Sequence, residues 1–262
     1  MSTNLISIIM NCHNGEKYLR SSVNSILSQN FSDWELIFYD NQSTDESISI
    51  IKEFKDDRIK IFNSKDKLSL YHARNEAISC AKGNLISFLD TDDKWDKFFL
   101  EKLFTNFSDN NCDLIYSNYF IIDEIKKTTY LNEKKILPSG KITQSLFSNY
   151  KIGVLAVLLK KKMFDKYKFD ENYNIIGDFD FFIKSSLRYK FCAYQEPLAY
   201  YRIHCNSLSN KRLKLHAIEL KNWLKDNKNF YKKDYNLTNV EFYLRKLQIK
   251  VFLEKLKNFL DR

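Results

Sequence analysis

Short apolar runs alternate with amphipathic stretches along the first half of the chain. Leu5-Ile6-Ser7-Ile8-Ile9-Met10 has the character of a buried strand, and Leu19, Val23, Ile26 and Leu27 then fall on one face of a helix predicted over about 16–29. Trp34 to Tyr39 predicts a second strand. Ser43-Thr44-Asp45-Glu46 follows as a capping box, whose hydroxyl and carboxylate satisfy the first free N–H groups of a helix reaching Phe54. Ile59 to Phe62 is a third strand, and a helix over 70–81 stops at Gly83, a residue suited to the left-handed turn that ends helices. Leu85 to Leu89 is a fourth strand, running straight into Asp90-Thr91-Asp92-Asp93.

Strands that alternate with helices imply right-handed crossovers and a mostly parallel sheet flanked by helices, an α/β fold of Rossmann-like type. Ligands of such sheets bind beyond the carboxyl ends of the strands. Three predicted strand ends carry polar groups, Asn11 to Asn14, Asp40-Asn41 and Asp90 to Asp93, and they are expected to line one crevice. Further strands are predicted over Leu114 to Ile122, Val154 to Leu159 and Phe191 to Tyr194, with a helix over about 179–187. From Leu213 onward the pattern is helical and amphipathic. No repeat and no Pro- or Gly-rich linker interrupts the chain, so the expected division is one body over 1–210 and a helical extension over 211–262.

Composition narrows the class. A chain of 262 residues with 44% hydrophobic and 15% aromatic residues, 5 Gly and 2 Pro is too apolar for disorder and long enough for a stable core. No apolar run approaches the roughly 20 residues of a membrane span, and Met1-Ser2-Thr3-Asn4 lacks the basic start of a secretory signal. Five scattered cysteines without a C-x-x-C pair argue against a disulfide framework and structural zinc, and suit a reducing cytoplasm. The net charge of +9 raises nucleic acid, an anionic membrane and a phosphorylated substrate as partners. Its location is uneven: Lys211 to Arg262 holds 14 basic and 6 acidic residues, which leaves the remainder at +1. Any argument from basicity therefore concerns the tail.

Asp90-Thr91-Asp92-Asp93 sets carboxylates at the mouth of a buried strand. Such a turn can hold a hard divalent cation whose oxygen shell a diphosphate completes, or it can be a solvated loop that caps the next helix. The spacing recurs at Asp178/Asp180, so the tripeptide alone decides nothing.

The order of motifs says more. Ser7 to Asn14, Tyr39-Asp40-Asn41-Gln42-Ser43-Thr44-Asp45, Ala73-Arg74-Asn75, Phe88-Leu89-Asp90-Thr91-Asp92-Asp93, Ile176-Gly177-Asp178-Phe179-Asp180 and Tyr200-Tyr201-Arg202-Ile203-His204 follow one another in a way that resembles the family 2 glycosyltransferases, over roughly residues 5–210. The resemblance implies a GT-A fold with a nucleotide-sugar half (1–115), an acceptor half (116–210) and inverting transfer from a nucleotide-diphosphate sugar, a UDP-sugar foremost. It implies nucleoside contacts for Asn11, Asp40 and Asn41, where Asn41 replaces the usual second acid, and a donor-facing role for Arg74. It gives Asp90 the ribose, Asp92 or Asp93 a Mn²⁺ or Mg²⁺ ion, and Arg202 and His204 the donor diphosphate. Asp178 is the implied general base, although the residues alone favour a plain helix cap, and Gly177 departs from the usual Glu-Asp pair. Asp180, two places on, is expected to point elsewhere on the helix.

The acceptor implied by the family is a glycan or a lipid-linked glycan of surface polysaccharide biosynthesis, met in the cytoplasm. In the tail, Ile249, Phe252, Leu253, Leu256 and Leu260 form one helical stripe, with Lys246, Lys250 and Lys257 beside or opposite it. That stripe either packs on the body or attaches the enzyme peripherally to an anionic leaflet on the inner face of the plasma membrane. No nucleic-acid module is recognisable, and nucleic acid is not an expected partner. A catalytically inactive nucleotide-sugar or glycan-binding protein of the same fold is the alternative from another functional class.

Overall fold

The computed structural model describes residues 4–205 and 212–260. The boundary expected at 210/211 lies outside the described residues, as do the side chains of Lys257 and Leu260. One sheet of nine strands organises the chain: β1 (Ile6–Cys12), β2 (Trp34–Asp40), β3 (Ile59–Asn63), β4 (Leu85–Phe88), β5 (Lys94–Trp95), β6 (Leu114–Asp123), β7 (Thr128–Leu131), β8 (Val157–Lys160) and β9 (Phe191–Ile203). The helices are α1 (Glu16–Leu27), α2 (Ser47–Glu53), α3 (Leu70–Cys80), α4 (Phe99–Asp109), α5 (Thr143–Ser148), α6 (Met163–Lys166), α7 (Gly177–Ser186), α8 (Leu213–Tyr231) and α9 (Thr238–Leu260).

Strand order is β3-β2-β1-β4-β8-β6-β9-β5, with β7 paired to β6. The first four strands are parallel, as the β/α alternation requires. The second half then departs from pure parallel pairing, because β8 runs antiparallel to both β4 and β6 while β9 returns parallel to β6. Two reversals restore the original direction, so β6 and β9 end at the same edge as β1, β2 and β4. That edge carries the site.

Alternation along each strand divides the core into two layers. Ile8, Leu36 and Phe38 pack with α1, α2 and α4 on one face, whereas Ile9, Ile37 and Phe88 pack on the other with α3, α7 and the C-terminal helices. In α1 the buried positions are Leu19, Ser22, Val23 and Ile26, one stripe of the predicted helix.

Several local expectations are corrected. The capping box does not form: α2 starts at Ser47 without a side-chain cap, and the Ser43 hydroxyl instead takes the Asn14 N–H at 3.0 Å. Gly83 ends no helix in the left-handed conformation, since α3 stops at Cys80 with Ala81 extended. Its reason is proximity, because a Cβ there would lie 2.5 Å from the Leu5 carbonyl oxygen. Cys112 and Cys192 form a disulfide with Cα atoms 6.1 Å apart, against the expectation from scattered cysteines. The β6–β9 register, with Ile115 opposite Cys192, is what brings them together.

The C-terminal extension belongs to the core. Trp223 of α8 is fully buried, and Val240 and Leu247 of α9 face the body, with Leu244 and Val251 packed beside them. The stripe named from sequence lies on the other side of α9: Ile249, Phe252, Leu253 and Leu256 are exposed, Phe252 by 60%. This helix therefore has two apolar faces, and the one turned inward is not the stripe that helical spacing singled out. Among the described residues no helix is long and apolar enough to cross a membrane.

Candidate active site

Three parallel strands deliver the first polar groups. Register pairs Cys12 with Asp40 across β1 and β2, and the Asn41 N–H donates to the Cys12 carbonyl at 2.7 Å. Asp40 is buried; its Oδ2 accepts the Ser43 N–H at 3.0 Å, while its Oδ1 is buried without a hydrogen-bond partner. Both polar atoms of the Asn11 side chain are likewise buried and unpaired. Leaving a buried polar group unpaired costs about 1–3 kcal/mol, so these neighbouring strand ends keep an unsatisfied capacity for a polar ligand.

Asn41 is differently placed. Its amide holds the loop before α3, donating to the Leu68 carbonyl at 2.9 Å and accepting from the Leu68 N–H at 2.9 Å and the Ser64 hydroxyl at 3.3 Å. An aspartate could accept those two bonds but could not donate the third, which gives the departure at this position a structural reason. One amide N–H remains for a ligand.

At the end of β4, the carboxylates of Asp90, Asp92 and Asp93 have separate partners. Arg74, 3% exposed and ringed by Tyr71, Phe88 and Phe169 at 5.5, 5.5 and 5.6 Å, donates to Asp90 Oδ1 at 3.0 Å. It orients the strand-end carboxylate from below instead of standing open to solvent. Asp92 Oδ2 lies 2.9 Å from His204 Nε2. Burial and the charge of Asp90 raise the Asp92 carboxyl above its ordinary range, with His204 pulling the other way. Asp93 turns inward, 2% exposed, where its Oδ1 accepts the Arg202 N–H at 2.8 Å and its carbonyl accepts the Ser22 hydroxyl. Of the two doubled aspartates, Asp92 is the one that faces the crevice.

Arg202 closes this end. Its Nε donates to the Asp92 carbonyl at 2.9 Å, its Nη1 to Glu124 at 2.8 Å, and its guanidinium lies 4.6 Å from the Tyr18 ring centroid. Tyr18 donates to the other Glu124 oxygen and packs 5.0 Å from the His204 ring. Tyr18 and Glu124 were not anticipated. Glu124 had a readable signal, since it follows the carboxyl end of β6, but that edge is known to be the right one only after the reversals through β8 are seen.

Asp178 arrives from a different direction, on the first turn of α7. Its Oδ1 accepts the Phe179 N–H at 2.8 Å and shares the Tyr71 hydroxyl, 3.2 Å away, with the Ile175 carbonyl at 3.1 Å. Burial pushes its carboxyl up, while the Phe179 N–H, Arg74 and the Tyr71 hydroxyl act to lower it. A raised carboxylate is a stronger base, which suits proton abstraction near neutrality. Gly177 is explained here: a Cβ would stand 2.5 Å from the Tyr71 ring, so glycine admits the ring that bonds the acid beside it. Asp180 points to the opposite side of α7, fully buried against Trp223 Nε1 at 2.8 Å and Lys184 Nζ at 2.6 Å.

A metal needs a suitable donor set. Among the described residues no group of three or more His, Cys, Asp or Glu side chains converges. Mg²⁺ and Mn²⁺ commonly take one or two protein carboxylates and complete their shell from substrate phosphates and water, so a single carboxylate with a neighbouring imidazole is enough to start such a site. Asp92 with His204 is the pair that fits.

An α/β crevice with carboxylates at its strand ends, opposite a desolvated aspartate, is the arrangement of a GT-A glycosyltransferase. The fold agrees with that of S. aureus TarS solved with UDP-GlcNAc, at a TM-score of 0.66 and 16% identity over 84% of this chain and 66% of that one. The family model for Glycosyl transferase family 2 matches residues 7–190, and the chain belongs to that family. Among its relatives is the UDP-Glc:alpha-D-GlcNAc-diphosphoundecaprenol beta-1,3-glucosyltransferase WfgD of Escherichia coli, 33% identical over 64% of this chain and 65% of that protein. An uncharacterized glycosyltransferase of Methanocaldococcus jannaschii is 32% identical over 88% of this chain and 83% of its own length. A Bacillus subtilis protein named for teichuronic acid biosynthesis, TuaG, is 29% identical over 80% and 83%. The chain thus spans just under two thirds of the E. coli enzyme and of the TarS segment.

Proposed function

We propose that this glycosyltransferase moves a sugar from a nucleoside diphosphate, UDP foremost, to a hydroxyl of a lipid-linked glycan in surface polysaccharide synthesis, with inversion. The observation that carries the reading is the set of unpaired buried atoms on Asn11 and Asp40, beside the carboxylates of Asp90 and Asp92, with Arg74 acting on both Asp90 and Asp178. Relatives named for UDP-glucose, a diphosphoundecaprenol acceptor and teichuronic acid support the choice of substrates.

Asn11, Asp40 and the remaining Asn41 N–H receive the nucleoside, and Asp90, held by Arg74, receives the ribose. Asp92 and His204 would hold Mn²⁺ or Mg²⁺, which when bound offsets charge on the departing diphosphate. Arg202, fixed by Glu124, keeps the β9 end and His204 over that position. Asp178 takes the proton of the acceptor hydroxyl as its oxygen bonds to the anomeric carbon. The bond from that carbon to the diphosphate oxygen breaks, and the nucleoside diphosphate leaves with the electron pair. A single carboxylate suffices because attack and departure occur on opposite faces of the sugar.

UDP with Mn²⁺ is expected to raise the melting temperature more than UDP or Mn²⁺ alone, since ligands of the folded state stabilise it. Asp92→Asn should retain the UDP shift and lose the Mn²⁺ increment. A flat response across nucleoside diphosphates and nucleotide sugars would refute the donor assignment.

We place the enzyme peripherally on an anionic surface through the outward stripe of α9. Ile249, Phe252, Leu253 and Leu256 supply apolar area, and Lys246 and Lys250 lie on the same helix. Each such cation near an anionic leaflet contributes about 1 kcal/mol. Phosphatidylglycerol-rich vesicles should float the chain, and Phe252→Asp with Leu256→Asp should reduce flotation about tenfold or more. Equal flotation of the double variant would remove α9 as the anchor.

A further inference from the structure

A second concavity has Asp178 in its wall. It measures about 580 Å³ and lies between α5, the start of α7 and the two C-terminal helices. None of Asp40, Asp90, Asp92, Arg202 or His204 lines it, whereas Asp178, Tyr150, His216, Phe242, Tyr243 and Lys246 do. Asp178 therefore stands between two sets of groups, since Arg74 acts on it from the strand-end side while the residue itself lines the cavity. One set is Arg74 and the strand ends, and the other lies in the cavity, walled by α5 and α7 on one side and on the other by α8 and α9, which lie beyond the residues matched by the family.

Its chemistry changes in order along the wall. Next to Asp178, the Tyr150 hydroxyl is buried and close enough to that carboxylate for burial and Asp178 together to raise its phenol well above the usual value. His216 follows, edge-on to Tyr243 with ring centroids 5.7 Å apart; burial lowers its imidazole below the usual value, so it is neutral near pH 7 and both donates and accepts. Lys246 stands at the α9 side, 4.5 Å from the Phe242 ring, with no carboxylate partner among the described residues. Beyond Lys246 on the same helix begins the exposed stripe of Ile249, Phe252, Leu253 and Leu256. The wall is held in place: Asn239 donates to the Ser148 carbonyl at 2.9 Å, and Asn236 and Gln144 exchange bonds at 2.8 and 3.1 Å.

Hydroxyl-binding groups, then a cation, then an apolar stripe is the order of a glycan head, a phosphate linkage and a hydrocarbon chain. We infer that this cavity is the acceptor site and that its ligand is a sugar carried on an isoprenyl diphosphate, with the sugar at Tyr150 and Asp178, the diphosphate at Lys246 and the chain along the outer face of α9. The inference rests on Asp178 acting as the base and adds, to the lipid-linked acceptor proposed above, the place where it binds and its contacts. Tyr150 and His216 select and position the acceptor hydroxyl, and Tyr243 offers an aromatic face to the sugar ring.

Farnesyl diphosphate is the probe, titrated into the full chain with saturating UDP so that the donor crevice is filled. Lys246→Glu and, separately, Tyr243→Ala should each weaken its binding about tenfold or more, with melting temperature and UDP affinity near the parent's. A benzophenone-bearing isoprenyl diphosphate should crosslink to 146–151 and 239–253. Unchanged affinity in both variants, binding of inorganic diphosphate as tight as that of farnesyl diphosphate, or crosslinks confined to 11–14, 40–41 and 90–93 would each overturn the assignment. The UDP shift separates the two readings: a chain that binds UDP but not the isoprenyl probe refutes the cavity alone. One that binds the probe but no nucleotide refutes the donor assignment and leaves the cavity standing.

Discussion

Asp178→Asn is expected to bind UDP as the parent does, to melt at a higher temperature, and to transfer sugar about a hundredfold more slowly or worse. The amide keeps the geometry, because its oxygen can still accept the Phe179 N–H and the Tyr71 hydroxyl that Oδ1 accepts now. What is lost is the acceptor for a proton. The stability change follows from the raised carboxyl, whose dominant cause is burial. A carboxyl raised in the folded state holds its proton to higher pH than in the unfolded chain. Below the ordinary carboxylate value the group costs nothing, and stability falls as pH rises from that value through the raised one. Asparagine removes that loss, so the gain in melting temperature should be present near neutrality and vanish in acid. The same carboxyl sets the acid limb of kcat/KM, above the usual range for aspartate. Tyr71→Phe deletes a bond that favours the charged form, and the acid limb should move further up in pH. Near-parent turnover of Asp178→Asn would remove it from the base role; a limb unmoved by Tyr71→Phe would separate the tyrosine from the base.

The parts of this site that could be read from sequence are those set by local period and by one rule of α/β sheets. Asn11, Asp40 and Asp90 were legible because each follows a buried run, and parallel strands present their carboxyl ends to ligands. Arg74 was legible as a position but not in its role, since the aromatic cage that turns it onto Asp90 is drawn from α3, β4 and the Phe169 loop. Gly177 stood out as a departure from the usual Glu-Asp pair, and its cause is the ring of Tyr71, 106 positions earlier. No window of sequence holds both. The Ser43 box failed for a related reason: the β1–α1 turn offered Ser43 a competing partner in the Asn14 N–H. Helical spacing also found one apolar stripe of α9, whereas tertiary packing chose another, Val240, Leu244, Leu247 and Val251. Composition had divided the chain into a neutral body and a basic tail, and that division describes charge, not folding units.

Trp223→Ala is the substitution expected to cost most stability, and it tests whether the tail is a separate piece. Trp223 packs against Phe179, Tyr231 and Phe147 at 5.0, 5.6 and 6.3 Å between ring centroids, fully buried. Truncating such a side chain costs about 3–5 kcal/mol, which for a chain of this size lowers the melting temperature by roughly 6–20 °C. The loss also strips an N–H from Asp180, a buried carboxylate left with Lys184, so the upper part of the range is expected. Trp223→Phe, which keeps the ring but not the donor, should lose less. A functional effect should accompany the structural one. One α8 turn before Trp223, Glu219 accepts the N–H groups of Asn174, Ile175 and Ile176 at 2.8, 2.9 and 3.2 Å, fixing the segment that leads into Asp178. Loosening α8 should therefore lower kcat while leaving UDP affinity near the parent's, because the groups proposed to receive the nucleotide sit at the ends of β1, β2 and β4 and not on α8. A melting curve unchanged by Trp223→Ala would detach the C-terminal helices from the core, and with them the wall of the acceptor cavity.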